Sequence, residues 1–195
     1  MSMLLALQQR AAPFVALRRD LHRHPELGLK EFRTSELLAR QLQSWGYNVT
    51  RGLATTGLVA QLQRGSGRKR LGLRADMDAL PIHETNSLSH CSVHEGVMHA
   101  CGHDTHVAML MGAATVLTSI KNTLSGTVVF IFQPAEERLP GGASLMIKEG
   151  VLKNPSPTAI VGQHVHPPLA AGKVGFRPGR YMGSCDELYI TITGK

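Results

Sequence analysis

The sequence predicts an α/β domain with a mostly parallel central sheet flanked by helices. Three observations predict it. Segments with apolar residues at helical spacing alternate with short apolar runs of strand length. Several of those runs are apolar on both faces, as expected of strands covered from two sides. Acids or histidines follow three of the strand ends, the rim where open α/β sheets collect ligands. At 195 residues, with 43% hydrophobic and 18% charged side chains, the chain is long enough and apolar enough for one ordinary globular core.

Taken in order, apolar residues over positions 4–21 recur at helical spacing and are interrupted by Pro13, so the first helix starts or kinks there. It ends near His24-Pro25, because the residue before proline is pushed out of the helical region. Residues 31–45 predict a second amphipathic helix, with Leu37, Leu38, Leu42 and Trp45 on one side and Gly46 as its stop. The period then changes, and 47–51, 58–63 and 71–75 read as strands. Gly65-Ser66-Gly67 and the basic run Arg68-Lys69-Arg70 predict a solvated hairpin loop between the last two. Residues 107–117 predict a buried helix capped by Asp104 and Thr105. A buried strand at 127–132, a helix at 143–149 stopped by Gly150 and a buried strand at 159–162 follow, with two further strands at 172–176 and 187–193. Asp76 and Asp78, Glu136 and Glu137, and His164 each follow a strand end.

Composition narrows the function classes. The formal net charge of +7 attracts anions, including carboxylates. Its basic residues are dispersed, however, and aromatics make up only 5%, so no nucleic-acid partner is expected. No apolar stretch approaches the ~20 residues of a membrane span, so no membrane partner is expected either. Three irregularly spaced cysteines do not make a disulfide framework. One of them, Cys101, lies among histidines, where a thiolate needs reducing conditions. The N-terminus lacks the basic lead of a signal peptide, and a cytoplasmic location is expected.

The chemistry concentrates in His99-Ala100-Cys101-Gly102-His103-Asp104-Thr105-His106. Thiolate, imidazole and carboxylate together suit a divalent ion such as Zn²⁺, Mn²⁺, Co²⁺ or Ni²⁺. A structural zinc knuckle wants a second pair at matching spacing, and none exists, which favours a catalytic site. His99 and His106 are left out of the ligand set, His106 as a residue packed one turn into a helix. Glu136 and Glu137 are adjacent, so their side chains diverge. One can hold a metal while the other faces a substrate, and the residues alone leave open which does which; a solvated acidic turn is the plainer alternative. Of His164 and His166, one is expected to face inward. Asp76 and Asp78 either orient a ligand imidazole or serve as turn aspartates. Cys101, His103, Glu137 and His164 exceed the three protein ligands of a single catalytic zinc while leaving Glu136 free, which points to two ions.

These motifs resemble those of the amidohydrolases that include hippurate hydrolase, N-acyl-L-amino-acid amidohydrolase, N-acetyl-diaminopimelate deacetylase and the plant indole-acetyl-amino-acid hydrolases, within the wider aminoacylase and carboxypeptidase G group of metallopeptidases. The resemblance runs through Arg18-Arg19-Asp20-Leu21-His22-Arg23-His24-Pro25-Glu26-Leu27, Arg74-Ala75-Asp76-Met77-Asp78-Ala79-Leu80-Pro81-Ile82, Gly96-Val97-Met98-His99-Ala100-Cys101-Gly102-His103-Asp104 and Phe132-Gln133-Pro134-Ala135-Glu136-Glu137, and resumes around His164. It implies Cys101, His103, Glu137 and His164 as metal ligands, Glu136 as general base and Asp78 as the acid that orients the site. Asp76 stands where many relatives have histidine. His22 and His24 match the family pattern without an assignable ligand role. The resemblance also implies two divalent ions, an N-acyl amino acid substrate of hippurate-like form, and homo-oligomers among full-length relatives. Those relatives continue into a smaller lid domain and then return to supply a further histidine ligand. Residues 1–186 are accordingly expected to be the N-terminal part of a catalytic domain and 187–195 the first strand of the lid. The alternative expectation is a catalytically incompetent metal-binding fragment or interaction module of such an enzyme.

Overall fold

The computed structural model describes residues 11–153, 155–183, 186 and 188–194. They divide into two compact units, Met1–Val165 and His166–Lys195. The first holds all the regular structure: α1 (Ala12–Arg23), α2 (Phe32–Ser44), β1 (Asn48–Leu53), β2 (Gly57–Arg64), β3 (Arg70–Asp76), α3 (His103–Ser119), a 3₁₀ turn (Lys121–Thr123), β4 (Gly126–Gln133), α4 (Gly142–Lys148) and β5 (Ala159–Gly162).

Pro13 sits in the first turn of α1, where its missing N–H costs nothing, and the helix stops one residue before His24. The predicted portion before Ala11 lies outside the described residues. Gly46 follows α2 at φ 84°, a left-handed position that only glycine takes without strain.

The five strands form one sheet in the order β1-β2-β4-β3-β5. β3 runs parallel to β4 and to β5, while β2 is antiparallel to both β1 and β4. Four strands therefore point the same way and β2 alone is reversed, as a mostly parallel sheet requires. The loop at 65–69 is not a hairpin, because β4 inserts between β2 and β3. The β2–β3 link crosses over instead, and its basic residues stay exposed.

Strand alternation sends side chains into two cores. Leu58, Leu62, Phe130 and Phe132 pack with Leu21, Leu38, Leu42, Val107 and Met111 from α1, α2 and α3. Val59, Val129 and Ile131 face the other way and meet Met146 of α4. Tyr47 pins the first core, with its ring edge-on to Phe130 at 5.3 Å and its hydroxyl donating to the Ala114 carbonyl at 2.8 Å.

Three expectations need correction. α3 starts at His103, ahead of the predicted caps; Gly102 occupies the cap position at φ 83°, and Asp104 lies inside the first turn. β5 forms where expected but is exposed, with Ile160 at 48% and Val161 at 54%, because it is an edge strand paired only to β3 among the described residues. The runs at 172–176 and 187–193 join no sheet among the described residues, and Glu187 itself lies outside them. Without a neighbouring ladder, an apolar run has no backbone reason to become a strand. Among the described residues no helix is long and apolar enough to cross a membrane.

Candidate metal centre

The parallel strands β3, β4 and β5 end on one rim, and α3 begins there. β3 delivers Asp76 and, two residues on, Asp78; the loop after β4 carries Glu136 and Glu137; the segment after β5 carries His164; and Cys101 precedes the first turn of α3, which holds His103. His103 is the hub. Donor atoms of Cys101, His103 and His164 lie within 4.8 Å of one another, as do those of His103, Glu136 and Glu137. His103 Nε2 stands 3.6 Å from Glu137 Oε1 and 3.9 Å from Glu136 Oε2, and its Nδ1 is 3.3 Å from Asp78 Oδ1. Cys101 Sγ lies 3.4 Å from His164 Nε2. The His164 Nδ1 proton is spent on the Val165 carbonyl at 2.7 Å, which leaves the Nε2 lone pair facing the thiol. His164 is thus the histidine that faces the cluster, although its ring remains exposed, as is His166 in its own unit.

The set suits a cation. His103 is fully buried, yet neither of its nitrogens has a hydrogen-bond partner, and Glu137 Oε1 and Asp78 Oδ1 are likewise buried and unsatisfied. Unmet buried polar atoms are costly unless something fills the gap between them. Burial pushes the Cys101 thiol up to about 12, and the carboxylates of Glu137 and Glu136 push it the same way. Burial and the neighbouring Glu137 carboxylate also raise Glu136. Burial opposes a charge on His103, but Asp78, Asp76 and Glu137 outweigh it and raise its pKa. An excess of acids and a thiol around one imidazole, with orphaned atoms between them, fits one or two divalent ions of the borderline class. Cys101, His103, His164 and Glu137 could hold them, with Glu136 beside the same imidazole.

Asp76 and His106 are a different matter. Asp76 Oδ1 accepts from His106 Nδ1 at 2.6 Å and its Oδ2 accepts from Arg74 Nη1 at 2.7 Å, so both oxygens are taken. Burial opposes ionisation of Asp76, yet the His106 hydrogen bond and the charges of Arg74 and His103 bring it down to about 2. His106 Nε2 accepts the Val165 N–H at 2.9 Å, so His106 ties β3 to the segment that carries His164. The sequence placed His106 outside the ligand set; the register of β3 against α3, which decides its partner, was not readable there.

Gly102 combines two needs, a left-handed φ of 83° and closeness to Val165, whose Cγ2 would lie 2.5 Å from an added Cβ. We expect Gly102→Ala to destabilise the fold by at least about 1–2 kcal/mol, the ordinary cost of a left-handed non-glycine residue, and to weaken metal binding by pushing the His164 segment away. Unfolding and titration measured together check both.

Behind the rim, His22 of α1 donates from Nδ1 to Asp104 at 2.7 Å and faces Glu84 from Nε2 at 3.1 Å, while Arg18 Nε also pairs with Asp104 at 2.9 Å. The Asp104 hydrogen bond raises His22 despite its burial, and Glu84 adds to the effect. Burial works against Glu84, but the Ser92 amide, Asn86 and His22 bring it down to about 2. A raised histidine stabilises fully below its ordinary value near 6.5 and loses that stabilisation as pH climbs through the folded value. The two acids stabilise above their ordinary range and lose it as pH falls. The stability advantage of the wild type over His22→Leu is therefore expected to peak at about pH 5–6.5 and shrink on either side. An advantage that grows steadily to pH 9 would contradict this.

An open α/β sheet whose strand ends gather thiol, imidazole and carboxylates around an unsatisfied buried histidine has the make-up of a candidate metal-site domain. The pattern of Peptidase family M20/M25/M40 matches residues 72–193, and the chain belongs to that family. It is 40% identical over 181 residues to the N-acyl-L-amino acid amidohydrolase of Geobacillus stearothermophilus, covering 93% of this chain and 48% of that protein. Against the IAA-amino acid hydrolase ILR1-like 2 of Arabidopsis thaliana it is 44% identical over 182 residues, covering 93% of this chain and 40% of that protein. Among solved structures, the Bacillus subtilis YxeP protein, a dinuclear metal-binding peptidase from the M20 family, superposes with a TM-score of 0.79 at 38% identity, covering 85% of this chain and 46% of that one. The chain spans about half the length of the curated relatives it matches. Both of those curated relatives carry hydrolase names.

Proposed function

We propose that this chain forms the metal-binding half of an amidohydrolase that cleaves the amide bond of N-acyl amino acids, hippurate-like compounds among them. The observation that carries the reading is the convergence on His103 of Cys101, His164, Glu136 and Glu137, with buried donor atoms left unmet between them. Two ions of the Mn²⁺, Zn²⁺, Co²⁺ or Ni²⁺ class supply an acidified water and a polarised carbonyl when bound. Cys101, His103, Glu137 and His164 would hold them, and the charge of Asp78, 3.3 Å from the His103 Nδ1, orients that ring. Glu136 takes a proton from the attacking water and returns it to the leaving amine, a task suited to a half-exposed carboxylate whose pKa is raised by burial and by Glu137. Residues 1–186 then belong to the catalytic domain and 187–195 open a lid domain, and a reducing cytoplasm keeps Cys101 a thiol. Homo-oligomers and a small-molecule substrate complete the proposal.

Calorimetric titration of the metal-free chain with Mn²⁺, Zn²⁺ and Co²⁺ tests the site, with two equivalents expected. No saturable binding of any of them would overturn the proposal. Hydrolysis of a hippurate-like amide, compared with its Glu136→Gln variant, tests the reaction.

A further inference from the structure

Glu31 is fully buried, and the proposed chemistry makes no direct use of it. It stands at the cap position of α2 but does not cap that helix; Glu26 does so instead, accepting from the amides of Arg33 and Thr34 at 2.9 and 2.8 Å. The Glu31 carboxyl turns inward, where Thr56 Oγ1 donates to Oε2 at 2.5 Å and the Ala135 N–H donates to Oε1 at 2.8 Å. Ala135 has φ 48°, a left-handed conformation that a non-glycine residue keeps only when its surroundings impose it. The loop is also pressed from beneath: a Cβ on Gly28 would lie 3.0 Å from the Ala135 Cα. From the other side, Asp78 Oδ2 accepts the Glu137 N–H at 2.9 Å. Two amides, one on either side of Glu136, are thus held by two buried acids, and the loop they fix carries Glu136 and Glu137.

We propose that Glu31 is a positioning residue that locks Ala135 in its left-handed conformation and so aims Glu136 and Glu137 at His103. The step from loop geometry to catalysis rests on the function proposed above; the locking does not. Both carboxyl oxygens of Glu31 serve here as hydrogen-bond acceptors, one for Thr56 and one for Ala135, while burial raises the pKa of the group against those hydrogen bonds. Glutamine is therefore expected to replace it, its carbonyl accepting from Ala135 while the Thr56 hydroxyl rotates to accept from the amide.

Amide hydrogen exchange on the metal-free chain decides the matter. Glu31→Leu is expected to lower protection at Ala135, Glu136 and Glu137 by about tenfold or more, the scale of one lost buried hydrogen bond. Protection along β4 should be unchanged, and Glu31→Gln should keep the wild-type pattern. Should Glu31→Leu fail to fold, Thr56→Val, which removes only the hydroxyl, is read the same way with a smaller loss. An unprotected Ala135 amide in the wild type, no change in the leucine or valine variant, or equal loss in the glutamine variant would each overturn the proposal. So would loss spread evenly over β4, which marks a merely structural role. Co²⁺ titration of the same proteins links the lock to the site, with affinity expected to fall in Glu31→Leu and hold in Glu31→Gln. A wild type that binds no Co²⁺ counts against the proposed function, while the exchange result still decides Glu31.

Discussion

Replacing His103 by alanine is expected to abolish saturable metal binding and, in the metal-free chain, to cost about 3–5 kcal/mol of folding stability, the usual scale for breaking a buried ion pair from one side. The imidazole has no solvent exposure and sits within 3.3–3.9 Å of Asp78, Asp76, Glu137 and Glu136. Among the described residues its Nδ1 is the basic side-chain atom paired with Asp78, at 3.3 Å. Its removal takes away the imidazole that Asp78, Asp76 and Glu137 each approach. The loss exceeds what a cavity of that size costs alone, because repulsion among acids adds to lost packing. Urea unfolding with an unchanged slope is the measurement. A shift of less than about 1 kcal/mol would mean that the acids are solvated and the hub is not a hub.

Glu136→Gln is expected to lower kcat by about 10²–10⁴, the range of a lost general base, while two metal equivalents still bind. Glu137→Gln is expected to do the reverse, with affinity lost first. The side chains differ in the way the roles demand: Glu136 is 43% exposed and open to a substrate, Glu137 is 22% exposed with an oxygen buried and unmet. If Glu136→Gln sheds the ions instead, the two roles are exchanged.

Much of this was legible in the sequence because periodicity and punctuation act locally. Pro13, Gly46 and Gly150 mark boundaries through their own backbone limits, and the apolar runs at 58–63 and 127–132 are strands, paired with each other in the sheet. The residues of the candidate site were legible too, since Cys101 and His103, the Glu136–Glu137 pair and His164 each follow a recognisable local signal. Long-range pairing was not. Nothing in residues 65–70 says that β4 will slip between β2 and β3, and nothing in 159–162 says that one side of β5 stays open. Partners of buried polar groups were equally hidden. Asp104 reads as a cap but neutralises His22, and Glu31 reads as the start of a helix but grips a loop 104 positions away.

The donors around His103 come from four stretches of chain that only the finished sheet brings together. An unfolded polypeptide therefore offers ions no comparable grip, and each ion acts as a rivet fitted after assembly. At a free concentration of 100 Kd one such rivet adds about 2.7 kcal/mol, a large fraction of the whole stability of a small domain. A cell short of divalent ions would then hold a population that opens more often at this rim and meets proteases sooner. On the proposed function, supply of the ion sets the lifetime of the protein as well as its chemistry.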